Sequence, residues 1–179
     1  MERKCKVLVV GAGPGGYVAA IRAGQLGLNT IIIEGDRAGG TCLIRGCIPS
    51  KAVIHAASRF EELGAHTGAG EMGISLPDGP LLNMGALVAW KESIVDKLNS
   101  GVETLLKKAG VELLQGWATF HDGKTCDVKT ADGSVTITAE HVILATGSLA
   151  TELPFMPFGG NIISSTEALE LKELPSKLV

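Results

Sequence analysis

The chain has 179 residues, a net charge of −3, and 45% hydrophobic against 20% charged residues. That composition supports one domain with a real core and argues against a disordered chain. No Lys/Arg cluster stands out, so neither nucleic acid nor an acidic membrane surface is expected as a partner.

In chain order, residues 6–10 read as a core strand whose apolar run of four residues is too short for a signal segment, and no apolar run approaches the roughly 18 residues of a membrane span. A cytoplasmic protein is therefore expected, in which four cysteines are catalytic, ligating or buried rather than a disulfide framework. Residues 11–16 are a glycine turn, residues 17–26 an alanine-rich helix ending at Gly27, and residues 30–33 a second strand. Strand, helix and strand so close together predict a βαβ unit and a parallel sheet.

A loop through Gly39 and Gly40 leads into the cysteine segment and a helix over about residues 49–63. Residues 64–82 read as an irregular connection. From residue 83 to 110 apolar residues recur at helical spacing, predicting a long amphipathic helix interrupted near Gly101. Residues 111–114 are a short strand. Residues 125–130 and 134–138 alternate and join through Asp132-Gly133, a hairpin signal, and residues 141–145 read as another buried strand. A short helix over residues 167–171, capped by Ser165 or Thr166, precedes the linker Leu174-Pro175-Ser176. The expected fold class is α/β, a Rossmann-like domain with a parallel sheet and an added antiparallel hairpin or meander.

Gly11-Ala12-Gly13-Pro14-Gly15-Gly16 fits G-x-G-x-x-G between a strand and a helix. Gly11 serves the tight turn, Gly13 the approach of the backbone to a pyrophosphate, and Gly16 close helix–strand packing. Glu34, at the end of the second strand, is placed to bind a ribose hydroxyl pair. This pattern predicts a dinucleotide site and does not separate FAD from NAD.

Cys42 and Cys47 stand in Gly39-Gly40-Thr41-Cys42-Leu43-Ile44-Arg45-Gly46-Cys47-Ile48-Pro49-Ser50-Lys51. A disulfide needs Cα atoms within about 7 Å, whereas residues five apart lie about 8.7 Å apart in a helix and roughly 16 Å apart in a strand. Pairing therefore requires a distorted entry, which Gly46 and Pro49 permit. Two unrelated buried cysteines are the alternative; zinc fits poorly, because no second Cys/His pair follows at finger-like spacing. No metal site is expected. Cys5 and Cys126 lie in strand-like surroundings and read as structural, and His55, His66, His121 and His141 as surface or packing residues.

The cysteine string resembles the active-site signature of the pyridine nucleotide-disulfide oxidoreductases. Within that family, Ile48-Pro49-Ser50-Lys51 and the helix from Gly16 to Ala23 are most similar to the dihydrolipoamide dehydrogenase branch, and Ala145-Thr146-Gly147-Ser148 is similar to the family's Ala-Thr-Gly turn. Ile44-Arg45 departs from the usual Asn-Val or Asn-Ile, which bears on fine specificity.

The resemblance implies a flavoenzyme in which Cys42 and Cys47 form a redox-active disulfide, Cys42 exchanging with the dithiol and Cys47 passing electrons to FAD. It implies that Gly11, Gly13, Gly16 and Glu34 hold the ADP half of FAD and that Gly40, Thr41 and Lys51 line its inner part. Gly116 and Ala118 match a stretch near the adenosine, and Thr146, Gly147 and Ser148 a backbone contact after the last strand. The expected reaction is oxidation of dihydrolipoamide with NAD+, on the lipoyl group of a 2-oxo acid dehydrogenase complex, by a homodimer. A mercuric or glutathione reductase type, or a non-catalytic FAD-binding fragment, is the alternative. Residues 1–150 are expected to be the first part of the FAD-binding domain and residues 151–179 a linker toward an NAD-binding domain outside this chain, which leaves the isolated polypeptide little or no turnover.

Overall fold

A computed structural model describes residues 2–65, 73 and 75–179. The chain forms two compact units, Met1–Ile44 with Asp96–Ala150, and Arg45–Val95 with Thr151–Val179.

The first unit is built on a six-stranded sheet of order β3-β2-β1-β6-β5-β4. Its strands are β1 (Glu2–Val10), β2 (Thr30–Glu34), β3 (Glu112–Gln115), β4 (Trp117–Phe120), β5 (Thr125–Thr130) and β6 (Gly133–Leu144). β1 pairs in parallel with β2 and β6, and β2 with β3, while β4, β5 and β6 are antiparallel neighbours. The parallel sheet with an antiparallel addition is the architecture expected from the sequence. Leu8, Val9 and Ile32 are fully buried, as befits parallel strands covered on both faces. Helix α1 (Pro14–Gln25) buries Gly16, Ala20 and Ala23, a stripe of small residues that lets a helix lie close to its neighbours.

Helix α4 (Met84–Lys108) runs without a break through Gly101, where an added Cβ would meet nothing within 4 Å; the expected interruption is absent because a single glycine costs a long helix only about 1 kcal/mol. From Asp96 onward it belongs to the first unit and buries Asn99, Val102 and Leu106.

The expected separate strands at 134–138 and 141–145 are one strand, β6, whose first half pairs with β5 and whose register with β1 runs from Thr136 to Leu144. The expectation that residues 141–145 are buried also fails. β6 loses its β5 neighbour after Thr138, and Ile143 and Leu144 are 38% and 67% exposed. Cys5 and Cys126 lie in the core with Leu8, Ile31, Val128 and Ile137. Burial pushes both thiols above their ordinary value of 9.0.

The second unit contains α3 (Cys47–Gly64), the first part of α4 and α5 (Ser165–Ala168). Asn83 starts α4 by accepting the Ala86 amide at 2.9 Å. Lys91 on α4 is 2% exposed; its Nζ donates to the Leu169 carbonyl at 2.9 Å and pairs with Glu92 at 2.6 Å. Helix α5 is capped by Ser164, one residue earlier than expected, in a reciprocal box with Glu167. Residues 66–72 and 74 of the 64–82 connection, His66 among them, lie outside the described residues.

Candidate functional site: the glycine turn and the cysteine helix

β1 ends at Val10, and the chain turns at Gly11, whose amide donates to the Ile33 carbonyl at 2.8 Å. Gly11 has φ +97°, and a Cβ there would overlap the Ala145 carbonyl; only glycine suits both demands. A Cβ on Gly16 would run into the Gly11 carbonyl oxygen, which accounts for the close packing expected of that position. Gly13 and Gly15 are different. A Cβ on Gly13 would come no closer than 3.8 Å to anything, and one on Gly15 would meet nothing within 4 Å.

Gly13 is also the cap of α1 and offers no side-chain hydrogen bond, with Pro14 following in the first turn. The first amides of the helix are thus left to an outside acceptor, and the helix dipole favours an anionic one. This bare-backbone cradle fits a diphosphate.

Glu34 ends β2 beside the cradle. One carboxylate oxygen accepts the Ala12 amide at 2.7 Å and the other the Asp36 amide at 2.9 Å. Each oxygen keeps a further lone pair for a ribose hydroxyl, so Glu34 holds the turn while remaining able to accept from a nucleotide.

Gly39 donates to the Ala12 carbonyl at 2.8 Å, and Gly40 abuts Gly13 so closely that a Cβ on it would lie 2.5 Å from the Gly13 Cα. Gly40 opens helix α2 (Gly40–Arg45), which carries an exposed Thr41, a half-buried Cys42 and a buried Leu43. No sequence signal marks this short helix, because Gly39-Gly40 reads as a breaker. Gly46, at φ −137° and ψ −110°, interrupts helical geometry, and α3 begins at Cys47, two residues earlier than expected, with Pro49 buried in its first turn. Cys42 falls in the first unit, and Cys47 and Lys51, both exposed, in the second.

The remaining candidates belong to the first unit. Gly116 donates to the Glu34 carbonyl at 2.8 Å, and a Cβ there would lie 2.6 Å from the Lys129 carbonyl oxygen. Ala118 pairs with Val128 in β4 and β5. Thr146, Gly147 and Ser148 are exposed, just after Ala145 contacts the Gly11 turn.

The family described as pyridine nucleotide-disulphide oxidoreductase matches residues 5–179. The chain belongs to it. Dihydrolipoyl dehydrogenase of Pseudomonas aeruginosa is 52% identical over 177 residues, which is 98% of this chain and 38% of that protein. The dihydrolipoyl dehydrogenase of Geobacillus stearothermophilus is 48% identical over 174 residues, 97% of this chain and 36% of that protein. The chain therefore spans a little over a third of the relatives it matches. A Cu(II) complex of the HOCl-induced flavoprotein disulfide reductase RclA from Escherichia coli shares the fold at a TM-score of 0.75 and 23% identity, over 97% of this chain and 36% of that one.

In this pyridine nucleotide-disulphide oxidoreductase chain the described histidines, His55, His121 and His141, are not gathered. His55 lies 6.5 Å from Trp90, ring centre to ring centre, His121 pairs with Asp127 at 2.8 Å on the surface, and His141 is exposed. Among the described residues no group of three or more His, Cys, Asp or Glu could hold a metal ion, and no helix is long and apolar enough to cross a membrane. Sequence reasoning missed the loop at residues 36–39 as part of the site. Its tethers are Asn99, whose Nδ2 donates to the Ala38 carbonyl at 2.6 Å, Arg37 paired with Asp96 at 2.6 Å, and Gln115, which donates to the Asp36 carbonyl.

Proposed function

We propose that the protein containing this chain is a flavin-dependent dehydrogenase that oxidises dihydrolipoamide with NAD+ through a Cys42–Cys47 disulfide. The observation that carries this reading is the seating of Gly40 on Gly13: the helix bearing Cys42 starts on the nucleotide turn itself. Two relatives named dihydrolipoyl dehydrogenase, at 52% and 48% identity, support the choice of substrate.

In this reading residues 1–150 carry the first part of the FAD-binding domain and residues 151–179 lead toward an NAD-binding domain. The amides around Gly11, Gly13 and Gly16 bind the diphosphate of FAD and Glu34 its ribose. Gly116 and Ala118 face the adenosine end, and Gly40, Thr41, Lys51 and residues 146–148 the inner part. One substrate thiolate attacks Sγ of Cys42, forming a mixed disulfide and releasing Cys47 as a thiolate. The second substrate thiolate then closes the lipoyl disulfide and releases Cys42. FAD, when bound, supplies the two-electron acceptance and the passage of a hydride to NAD+. The lipoyl group of a 2-oxo acid dehydrogenase complex is the partner, the working form is a homodimer, and a cytoplasmic setting suits a disulfide cycled by catalysis.

Steady-state turnover of the full-length protein with dihydrolipoamide and NAD+ tests the proposal. Cys42→Ser is expected to keep the yellow flavin and lose at least about 10³-fold in kcat. Turnover unchanged in that variant refutes it.

A further inference from the structure

We propose that Asn99 is a positioning residue that holds the 36–39 loop, and with it the Cys42 helix, in place on the glycine turn. The inference rests on the reading of Cys42 as the thiol that exchanges with substrate.

On α4 the inward stripe of the first unit is Asn99, Val102 and Leu106, buried to 8%, 7% and 1% exposure. An amide in that row breaks the apolar pattern, and such breaks gather where a structure serves a site. Its Nδ2 donates to the Ala38 carbonyl at 2.6 Å in a buried bond, and Ala38 is 1% exposed, so that carbonyl has poor access to water as a substitute. The tethers from Arg37 to Asp96 and from Gln115 to Asp36 are exposed, where water replaces a lost bond readily.

From Ala38 the chain has no slack. The Gly39 amide is tied to the Ala12 carbonyl, Gly40 is pressed on Gly13, and Cys42 follows within the same short helix. A displacement at Ala38 therefore reaches both the diphosphate cradle and the thiol.

The test uses the full-length, FAD-loaded protein with Asn99→Leu, which keeps the branching at Cγ but lacks the donor, and Asn99→Ser, which keeps a shorter donor and serves if the bulkier leucine variant fails to fold. Amide exchange across the chain and the pH dependence of Cys42 alkylation after reduction are read together. We expect exchange at residues 36–42 to rise about tenfold or more while the β5–β6 hairpin is unchanged. Cys42 alkylation should shift by about threefold or more, less so with serine. Wild-type behaviour of both variants, or a uniform rise in exchange along the chain, overturns the proposal. A local rise in exchange in protein whose Cys42 never changes oxidation state supports the tether and sinks the exchange role of Cys42 instead.

Discussion

The turn after β1 and the turn between β5 and β6 both depend on glycine, for different reasons. At the hairpin, Gly133 has φ +130° and open space around its missing side chain, so backbone angle alone selects it. At the end of β1 the protein's own backbone excludes a side chain at Gly11, Gly16 and Gly40. Gly13 and Gly15 meet neither demand, since the fold leaves room for a Cβ there and neither has a positive φ. A glycine that folding does not require points to something that must approach from outside, and in this chain those residues lie at a bare helix start.

The largest effect that sharpens this contrast is expected from Gly16→Ala. The obstructing atom is backbone and cannot swing away, so chemical denaturation should show a loss of at least about 3 kcal/mol. Gly133→Ala should cost about 1–3 kcal/mol through backbone strain alone, with FAD affinity unchanged by calorimetry. Gly13→Ala should change stability by less than about 1 kcal/mol yet weaken FAD binding about tenfold or more, equivalent to about 1.4 kcal/mol. If Gly13→Ala unfolds the protein, or binds FAD as before, the contrast between the two kinds of glycine breaks.

The same contrast shows what was legible in the sequence. The βαβ unit was readable because strand and helix periods switch on either side of the glycines, and β5 with its turn because alternation and Asp132-Gly133 agree. Helix α2 was not, since six residues opening on glycine carry no period and hold their shape through Leu43 burial and the seat of Gly40 on Gly13. β4 was missed because four residues give too little alternation to count. β6 was split because Glu140-His141 interrupts the apolar run, although main-chain pairing with β1 continues through His141. Among the candidate residues, the glycines, Glu34 and the cysteines stand out in the sequence by type and spacing. Asn99 does not, because its partner is a carbonyl 61 positions away.

The smallest expected effect concerns Cys5 and Cys126 in the core. Burial raises both thiols above 9.0, so above that pH the unfolded chain gives up protons that the folded chain retains. Their contribution to stability is fully present below about pH 9 and is lost as pH rises through the raised folded values. Denaturation midpoints should fall through that window, less steeply in Cys126→Ala. A steeper fall in the variant contradicts the assignment. Both thiols should also resist labelling in the native state, in contrast to the exposed Cys47 when reduced.

The central claim, that Cys42 and Cys47 are partners in a redox disulfide beside a bound flavin, is tested most directly by thiol counting with peptide mapping of the full-length, FAD-loaded protein before and after reduction by dihydrolipoamide. The account predicts two new thiols, at Cys42 and Cys47, with Cys5 and Cys126 unchanged. Two free thiols at Cys42 and Cys47 in the oxidised, flavin-loaded protein would contradict it.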